Sequence, residues 1–395
     1  MKILHVIADL NPEKGGPSVA ALGMCEALVK MGHKVSLYTT NEFVLNQIDN
    51  EIVNFPMNHK GVKINYFPYL KNFSWVYAPK MGKYIRETIR DFDIVHIHNL
   101  YLYHTAITAF YCRKYKIPYI IMPHGTLDPY MRKNGKLKKF IYHQLIENRN
   151  LNGAAFVHYT ALEEKQLAHD QLGLRSQAYI APLGINPSAF EVAAKEEALS
   201  HRYAFLKDKF VFLFLGRLHY KKGLDLLIKG FSQINKQFAE THLLIVGPDE
   251  GGYKEKILQW IQEEGIEKAV TFMGMLQGKD KAEAFAAADA FVLPSYSENF
   301  GITVIEAMVS RLPVLISDQV NISTPIKEAE AGLVIQCEVG KLRDAMAVLY
   351  NQPDLRHRLV ENATNLVNST YTWDVAIKRL ISMYEASINN KHKPG

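Results

Sequence analysis

The stretch Leu293-Pro-Ser-Tyr-Ser-Glu298-Asn-Phe-Gly301-Ile-Thr-Val-Ile-Glu306-Ala-Met308 sets two carboxylates eight residues apart around a glycine. Before it, Asp289-Ala-Phe-Val-Leu293 reads as a buried strand. After it, Val304, Ile305 and Met308 fall at the spacing of a helix face turned to a core. Glu298 is therefore expected in the loop at the carboxyl end of a strand. Glu306 is expected about one and a half turns into the following helix. Between them the N–H groups of Phe300, Gly301, Ile302 and Thr303 open a helix N-terminus, which favours an anion such as a diphosphate. Two acceptor-only carboxylates flanking an anion cradle suit a ligand with hydroxyls on both sides of a phosphate.

Working outward, short apolar strands alternate with amphipathic helices along the chain. In the first half, strands are expected at Lys2–Ala8, Lys34–Thr39, Val62–Phe67, Asp93–His98, Pro118–Met122, Ala154–Tyr159 and Gln177–Ala181. The pattern restarts at Phe210–Leu215 and continues through His242–Val246, Val270–Phe272, Phe291–Leu293 and Val314–Ile316. Such alternation predicts parallel sheets with right-handed crossovers. Two series in tandem predict an α/β protein of two Rossmann-like, doubly wound domains facing across a cleft, with ligands at the carboxyl ends of the strands. The expected domains are residues 1–190 and 191–373, with Pro182-Leu-Gly-Ile-Asn-Pro187 as hinge. A C-terminal helix, about residues 374–395, is placed back on the first domain.

The length of 395 residues exceeds one ordinary core and fits two. No run of 18 or more apolar residues occurs, so a spanning helix is not expected. Met1-Lys-Ile-Leu-His-Val-Ile-Ala8 turns polar at Asp9 and reads as a first strand rather than a leader. Cys25, Cys112 and Cys337 are scattered, which fits reduced thiols and a cytoplasmic setting. Charge is uneven: residues 1–195 hold 23 Lys+Arg against 15 Asp+Glu, and the remainder 23 against 25. A basic first half points to an anionic surface or acidic partner. No nucleic-acid motif accompanies it, so nucleic acid is not expected.

Further loops at strand ends carry candidate chemistry. Gly15-Gly16-Pro17 lets backbone approach a ligand where a helix starts, although the full G-x-G-x-x-G spacing is missing. Arg217 and Lys222, five apart in Gly216-Arg-Leu-His-Tyr-Lys-Lys-Gly223, offer a planar fork and a mobile point charge to a diphosphate. Pro123-His-Gly-Thr-Leu-Asp-Pro129 places His124 and Asp128 where they contact a substrate hydroxyl, or shuttle a proton, or simply cap a turn. His96 and His98 share one strand face, but no third ligand has metal-site spacing, so no metal is expected. The segment with Arg132, Lys133, Lys136, Lys138 and Lys139 among apolar anchors reads either as a solvated helix or as one lying on a membrane surface. No Ser-His-Asp or G-x-S-x-G arrangement is present, which argues against a hydrolase.

Taken together, Gly15-Gly16-Pro17, His124-Gly125, Gly216-Arg217-Leu218 with Lys222-Gly223, and Pro294-Ser295…Glu298-x-Phe300-Gly301…Glu306-Ala307-Met308 resemble a family 4 glycosyltransferase of GT-B architecture. The resemblance runs over nearly the whole chain. It implies a retaining transferase that passes a sugar from a nucleotide-sugar to a hydroxyl acceptor, with no bound metal and no further cofactor. On that reading Glu306 accepts hydrogen bonds from the ribose, and Arg217 and Lys222 neutralise the diphosphate, with help from the N–H groups of Gly301, Ile302 and Thr303. Glu298 contacts the transferred sugar, the backbone of Asn299 and Phe300 holds sugar hydroxyls, and Met275 borders the base. His124, Asp128 and Gly16 face the acceptor or the donor phosphates from the other domain. The family pattern has glycine where Arg311 stands here. The favoured donor is UDP-glucose and the acceptor a glycan or lipid-linked sugar, at the inner face of the membrane if the basic segment binds there. The alternatives are a nucleotide-sugar epimerase on the same architecture and a non-catalytic nucleotide-sugar-binding subunit.

Overall fold

The computed structural model describes residues 1–11, 16–41, 56–70, 75–128, 141–190 and 202–390. Gly15 and the basic residues Arg132, Lys133, Lys136, Lys138 and Lys139 lie outside these. The chain divides into two compact units, one formed by Met1–Gly184 with the segment from Trp373 onward, the other by Ile185–Thr372. The crossover is therefore at Gly184, six residues before the expected boundary at 190. Its cause is local: a side chain on Gly184 would meet the Trp373 ring at 2.4 Å, so the two chain passages are in contact there.

In the first unit the strands are β1 (Lys2–Val6), β2 (Lys34–Thr40), β3 (Met57–His59), β4 (Val62–Phe67), β5 (Ile94–His98), β6 (Tyr119–Met122), β7 (Phe156–Tyr159) and β8 (Gln177–Ile180). They form one sheet in the order β3-β4-β2-β1-β5-β6-β7-β8. All neighbours are parallel except β3, which runs antiparallel to β4 at the edge. β1 at the centre of the order is where the chain first winds one way and then the other. The closing helix Trp373–Asn390 returns to this unit and packs beside the helix Gly16–Lys30.

In the second unit β9 (Phe210–Leu215), β10 (Thr241–Val246), β11 (Val270–Gly274), β12 (Ala290–Leu293), β13 (Val314–Ser317) and β14 (Leu333–Ile335) form a wholly parallel sheet, in the order β11-β10-β9-β12-β13-β14. Helices cover such a sheet on both faces, so its central strands read as unbroken apolar runs rather than alternations. Val211, Phe212, Leu213 and Phe214 of β9 and Phe291, Val292 and Leu293 of β12 are all buried. The strand order reverses between β9 and β12. That reversal leaves a crevice at their carboxyl ends, where open α/β sheets bind ligands. The helices Val339–Asn351 and Pro353–Leu366, which complete this unit, were not expected from the sequence.

Candidate active site

The loops after β9 and β12 are built against one another. Gly223 has φ +65°, and a Cβ there would lie 2.0 Å from the Pro294 carbonyl oxygen, so only glycine lets the two backbones touch. The Tyr296 N–H donates to the Lys221 carbonyl at 2.7 Å across the same contact. As a result Lys222 Nζ reaches the Glu298 carboxylate and forms an ion pair, both side chains about five-sixths buried at 16% and 17% exposure. Glu298 is fixed from the far side as well. Its N–H donates to Gln319 O at 3.1 Å and its carbonyl accepts from Asn321 N–H at 3.1 Å, in the loop after β13.

Gly301 turns the chain into the helix Ile302–Val309 at φ +72°, a left-handed conformation that disfavours any side chain. Its Cβ position is also crowded by Val304, Val320 and Glu298. Glu306 lies on that helix, almost fully buried. Lys281 Nζ donates to its Oε1 at 2.6 Å, while Oε2 is buried with no hydrogen-bond partner among the described residues. Burial pushes the Glu306 carboxyl above the ordinary range, and Lys281 partly offsets this. A buried carboxylate oxygen without a donor is costly unless a ligand supplies one. Vicinal hydroxyls are donors of that kind.

Arg217 follows β9, and its Nη1 donates to both carboxylate oxygens of Glu250 at 2.9 Å, both side chains exposed at 42%. Its guanidinium is therefore balanced by an acid in this state, and a diphosphate would compete with Glu250 for it. Met275 follows β11 and accepts a weak hydrogen bond at Sδ from Gln277 Nε2. The side chain of Phe300 is buried edge-on against Tyr371, with ring centroids 5.8 Å apart. Only the backbone of Phe300 can thus serve a ligand. Asn299 is half-buried beside it, and Ile302 and Thr303 form the first turn of the helix.

In the first unit, His124 and Asp128 lie in the turn after β6, and Asp128 N–H donates to Gly125 O at 3.1 Å. His124 has φ +51° and Gly125 φ +74°, so the turn has two successive left-handed residues. Glu164 holds it: Oε1 accepts from Gly125 N–H at 3.3 Å, and Oε2 from the Thr160 N–H and hydroxyl at 2.7 and 2.8 Å. Gly16 begins the helix Gly16–Lys30, and among the described residues nothing lies within 4 Å of where its Cβ would be. His5, His96 and His98 bring nitrogens within 4.8 Å of one another, close enough to surround a cation. Those nitrogens are already spent on hydrogen bonds to neighbouring rings and to Tyr384. No metal is assigned to them.

The geometry can be set beside known proteins. The family model described as Glycosyltransferase Family 4 matches residues 14–189, and that of Glycosyl transferases group 1 matches residues 195–366. This chain belongs to the family 4 glycosyltransferases. Mannosylfructose-phosphate synthase of Agrobacterium fabrum is 25% identical over 94% of this chain and 87% of its own. D-inositol 3-phosphate glycosyltransferase of Corynebacterium glutamicum is 23% identical over 97% and 94%. Among solved structures, sucrose-phosphate synthase from Thermosynechococcus elongatus superposes with a TM-score of 0.77 at 19% identity, covering 98% of this chain and 99% of that one. Anabaena HepE in complex with UDP-glucose gives 0.76 at 16%, covering 98% and 100%. These neighbours establish the GT-B fold of the transferase.

Within the second unit the transferase brings Lys222 and Glu298 into contact, with Arg217 and the start of the Glu306 helix on the same strand ends. Sequence reasoning missed Lys281, Glu250 and Glu164, which hold Glu306, Arg217 and the His124 loop. Lys281 sits 25 positions before Glu306 on another helix, and no local spacing signals that pair. No helix among the described residues is long and apolar enough to cross a membrane.

Proposed function

We propose that this glycosyltransferase moves a hexose from a UDP-sugar, UDP-glucose by preference, to a hydroxyl of a glycan or lipid-linked acceptor, with retention at the anomeric carbon. Glu306 carries the reading: one oxygen is paired with Lys281 and the other is buried with no hydrogen-bond partner among the described residues, on the helix that Gly301 begins. A ribose diol can donate to Glu306 while the diphosphate meets Lys222, Arg217 and the first N–H groups of the helix. As the bond from the sugar to the diphosphate breaks, negative charge gathers on the leaving phosphate. Fixed cations and N–H groups stabilise that charge most, because they need no reorganisation at the moment of reaction. When Lys222 turns to the phosphate, Glu298 is released to accept from sugar hydroxyls. The same cations do the work that a divalent ion does elsewhere, so the proposal includes no resident metal. His124 and Asp128 are assigned to substrate hydroxyls.

The test is a thermal-shift screen with UDP-, GDP- and ADP-sugars, followed by a transfer assay in which product configuration is read by NMR. A donor at a hundred times its Kd stabilises by roughly 2.7 kcal/mol. UDP-sugars are expected to shift the midpoint most and the product to keep the donor's configuration. A larger shift with GDP- or ADP-sugars would move the donor assignment, and an inverted product would remove retention. UDP-GlcNAc incubated without acceptor is expected to yield no epimer.

A further inference from the structure

Behind His124 the first unit contains a file of buried imidazoles that the reading above leaves without a role. On the sheet, His5 of β1 is in register with His96 of β5, and His98 follows on the same face. His158 comes from β7, and Tyr384 from the closing helix. His5, His96, His98, His158 and Tyr384 are all buried at 0–1% exposure. From the inner end, His158 Nε2 is 2.7 Å from the Ala181 carbonyl oxygen, and His158 Nδ1 is 3.4 Å from His96 Nε2. His96 Nδ1 is 2.8 Å from the Tyr384 oxygen, which is 3.2 Å from His5 Nε2. His5 Nδ1 is 2.9 Å from His98 Nε2, and His98 Nδ1 is 2.9 Å from His124 Nε2. Only His124, at the far end, is partly exposed.

One terminus sets the sense of every link. A carbonyl can only accept, so His158 carries its proton on Nε2. A neutral imidazole has one donor and one acceptor, so His158 Nδ1 accepts from His96 Nε2–H. His96 Nδ1 must then accept the Tyr384 hydroxyl proton, and the Tyr384 oxygen accepts from His5 Nε2–H. His5 Nδ1 accepts from His98 Nε2–H, and His98 Nδ1 accepts from His124 Nε2–H. Burial keeps the file neutral: His5 and His124 are pushed down to about 3 and His158 to about 4, and His96 and His98 also lie well below the ordinary range.

We propose that this one-way chain, anchored on the Ala181 carbonyl, holds His124 as the Nε2–H tautomer and so makes its Nδ1 an acceptor for a hydroxyl of the sugar substrate. His98, His5 and Tyr384 are then positioning residues for His124, which orients a hydroxyl and does not deliver a proton. That the hydroxyl belongs to a sugar rests on the transferase reading; the tautomer does not.

The experiment is a long-range proton–nitrogen correlation of the full chain labelled with 15N-histidine, free of substrate at pH 7, with His124 assigned through His124→Asn. A bare Nδ1 and a protonated Nε2 are expected for His124, His98, His5, His96 and His158. A proton on Nδ1 of His124, a mixture of its tautomers, or an imidazolium overturns the proposal. Tyr384→Phe removes the hydroxyl while keeping the ring. It should turn the His124 signals into a tautomer mixture and lower kcat by about tenfold or more through lost orientation, with UDP affinity unchanged. Unaltered His124 signals in that variant also overturn the proposal. Should Tyr384→Phe fail to fold, the spectrum of the unaltered chain decides alone. That spectrum needs no turnover, so failure of the transferase reading and failure of the tautomer chain are separable.

Discussion

Glu306 differs from the other acids of the site in being buried with only one oxygen satisfied among the described residues. Removing its partner should therefore do more than remove an ion pair. Lys281→Met leaves the carboxylate uncompensated, and we expect a loss of about 2 kcal/mol in urea unfolding, together with weaker UDP binding. Lys222 is different, because its partner Glu298 is expected to exchange for the substrate. Lys222→Ala should lower the transfer rate by about a hundredfold or more, the scale of one lost charge-stabilising donor, and should also lower the urea midpoint, because it leaves the mostly buried Glu298 unpaired. A transfer assay beside the unfolding curve separates the two effects. Arg217 faces Glu250 on the exposed side, and exposed pairs contribute roughly 0–1 kcal/mol. Glu250→Ala should leave stability unchanged. The sequence placed Glu298 in a loop and Glu306 in a helix, because a glycine between an apolar strand and an apolar helix face is a local signal. Their cationic partners are not local: Lys222 meets Glu298, and Lys281 meets Glu306, only once the sheet sets the segments after β9, β11 and β12 side by side.

Among elements, the contact between the loops after β9 and β12 depends on one atom. Gly223→Ala would drive a methyl into the Pro294 carbonyl at a positive φ, and no flexible side chain lies there to yield. We expect it to cost about 3 kcal/mol and to part Lys222 from Glu298, which a joint measurement of unfolding and transfer would show. Arg311, where the family pattern has glycine, has φ +60°, so that turn keeps its left-handed backbone with the side chain added. Elements with strong period or long apolar runs were legible: Val62–Phe67 and Phe210–Leu215 coincide with the expected strands, and most others differ by a residue or two at their ends. The edge strand Met57–His59 was not, since three residues of mixed polarity have no period to read. The histidines show the same limit. His96 and His98 were legible as one face, but strand order and a helix nearly 290 residues away bring His5, His158 and Tyr384 to them.

For the whole molecule, the buried histidines make acid the weak condition. His5, His104, His124 and His158 are held at about 3 to 4, while the unfolded chain protonates near 6.5. Between pH 6.5 and about 4 the unfolded state thus binds more protons, and stability falls as pH falls, by up to about 1.4 kcal/mol per pH unit for each such group. Glu147, raised to about 7 by burial, and Glu306, also raised, work in the opposite sense, since they are protonated in the folded state first. With histidines in the majority, thermal midpoints should drop steadily from pH 7 to pH 5, and a flat profile would contradict the buried file. The division of the chain at Gly184 and Trp373 makes the second unit a single segment, Ile185–Thr372, that carries Arg217, Lys222, Lys281, Glu298 and Glu306 together. Donor recognition is accordingly tested most directly by calorimetric titration of UDP into the full chain and into its Glu306→Gln variant, both at pH 7.5. The account predicts binding to the unaltered chain and at least about tenfold weaker binding, 1.4 kcal/mol, to the variant; equal affinity for the two would contradict it.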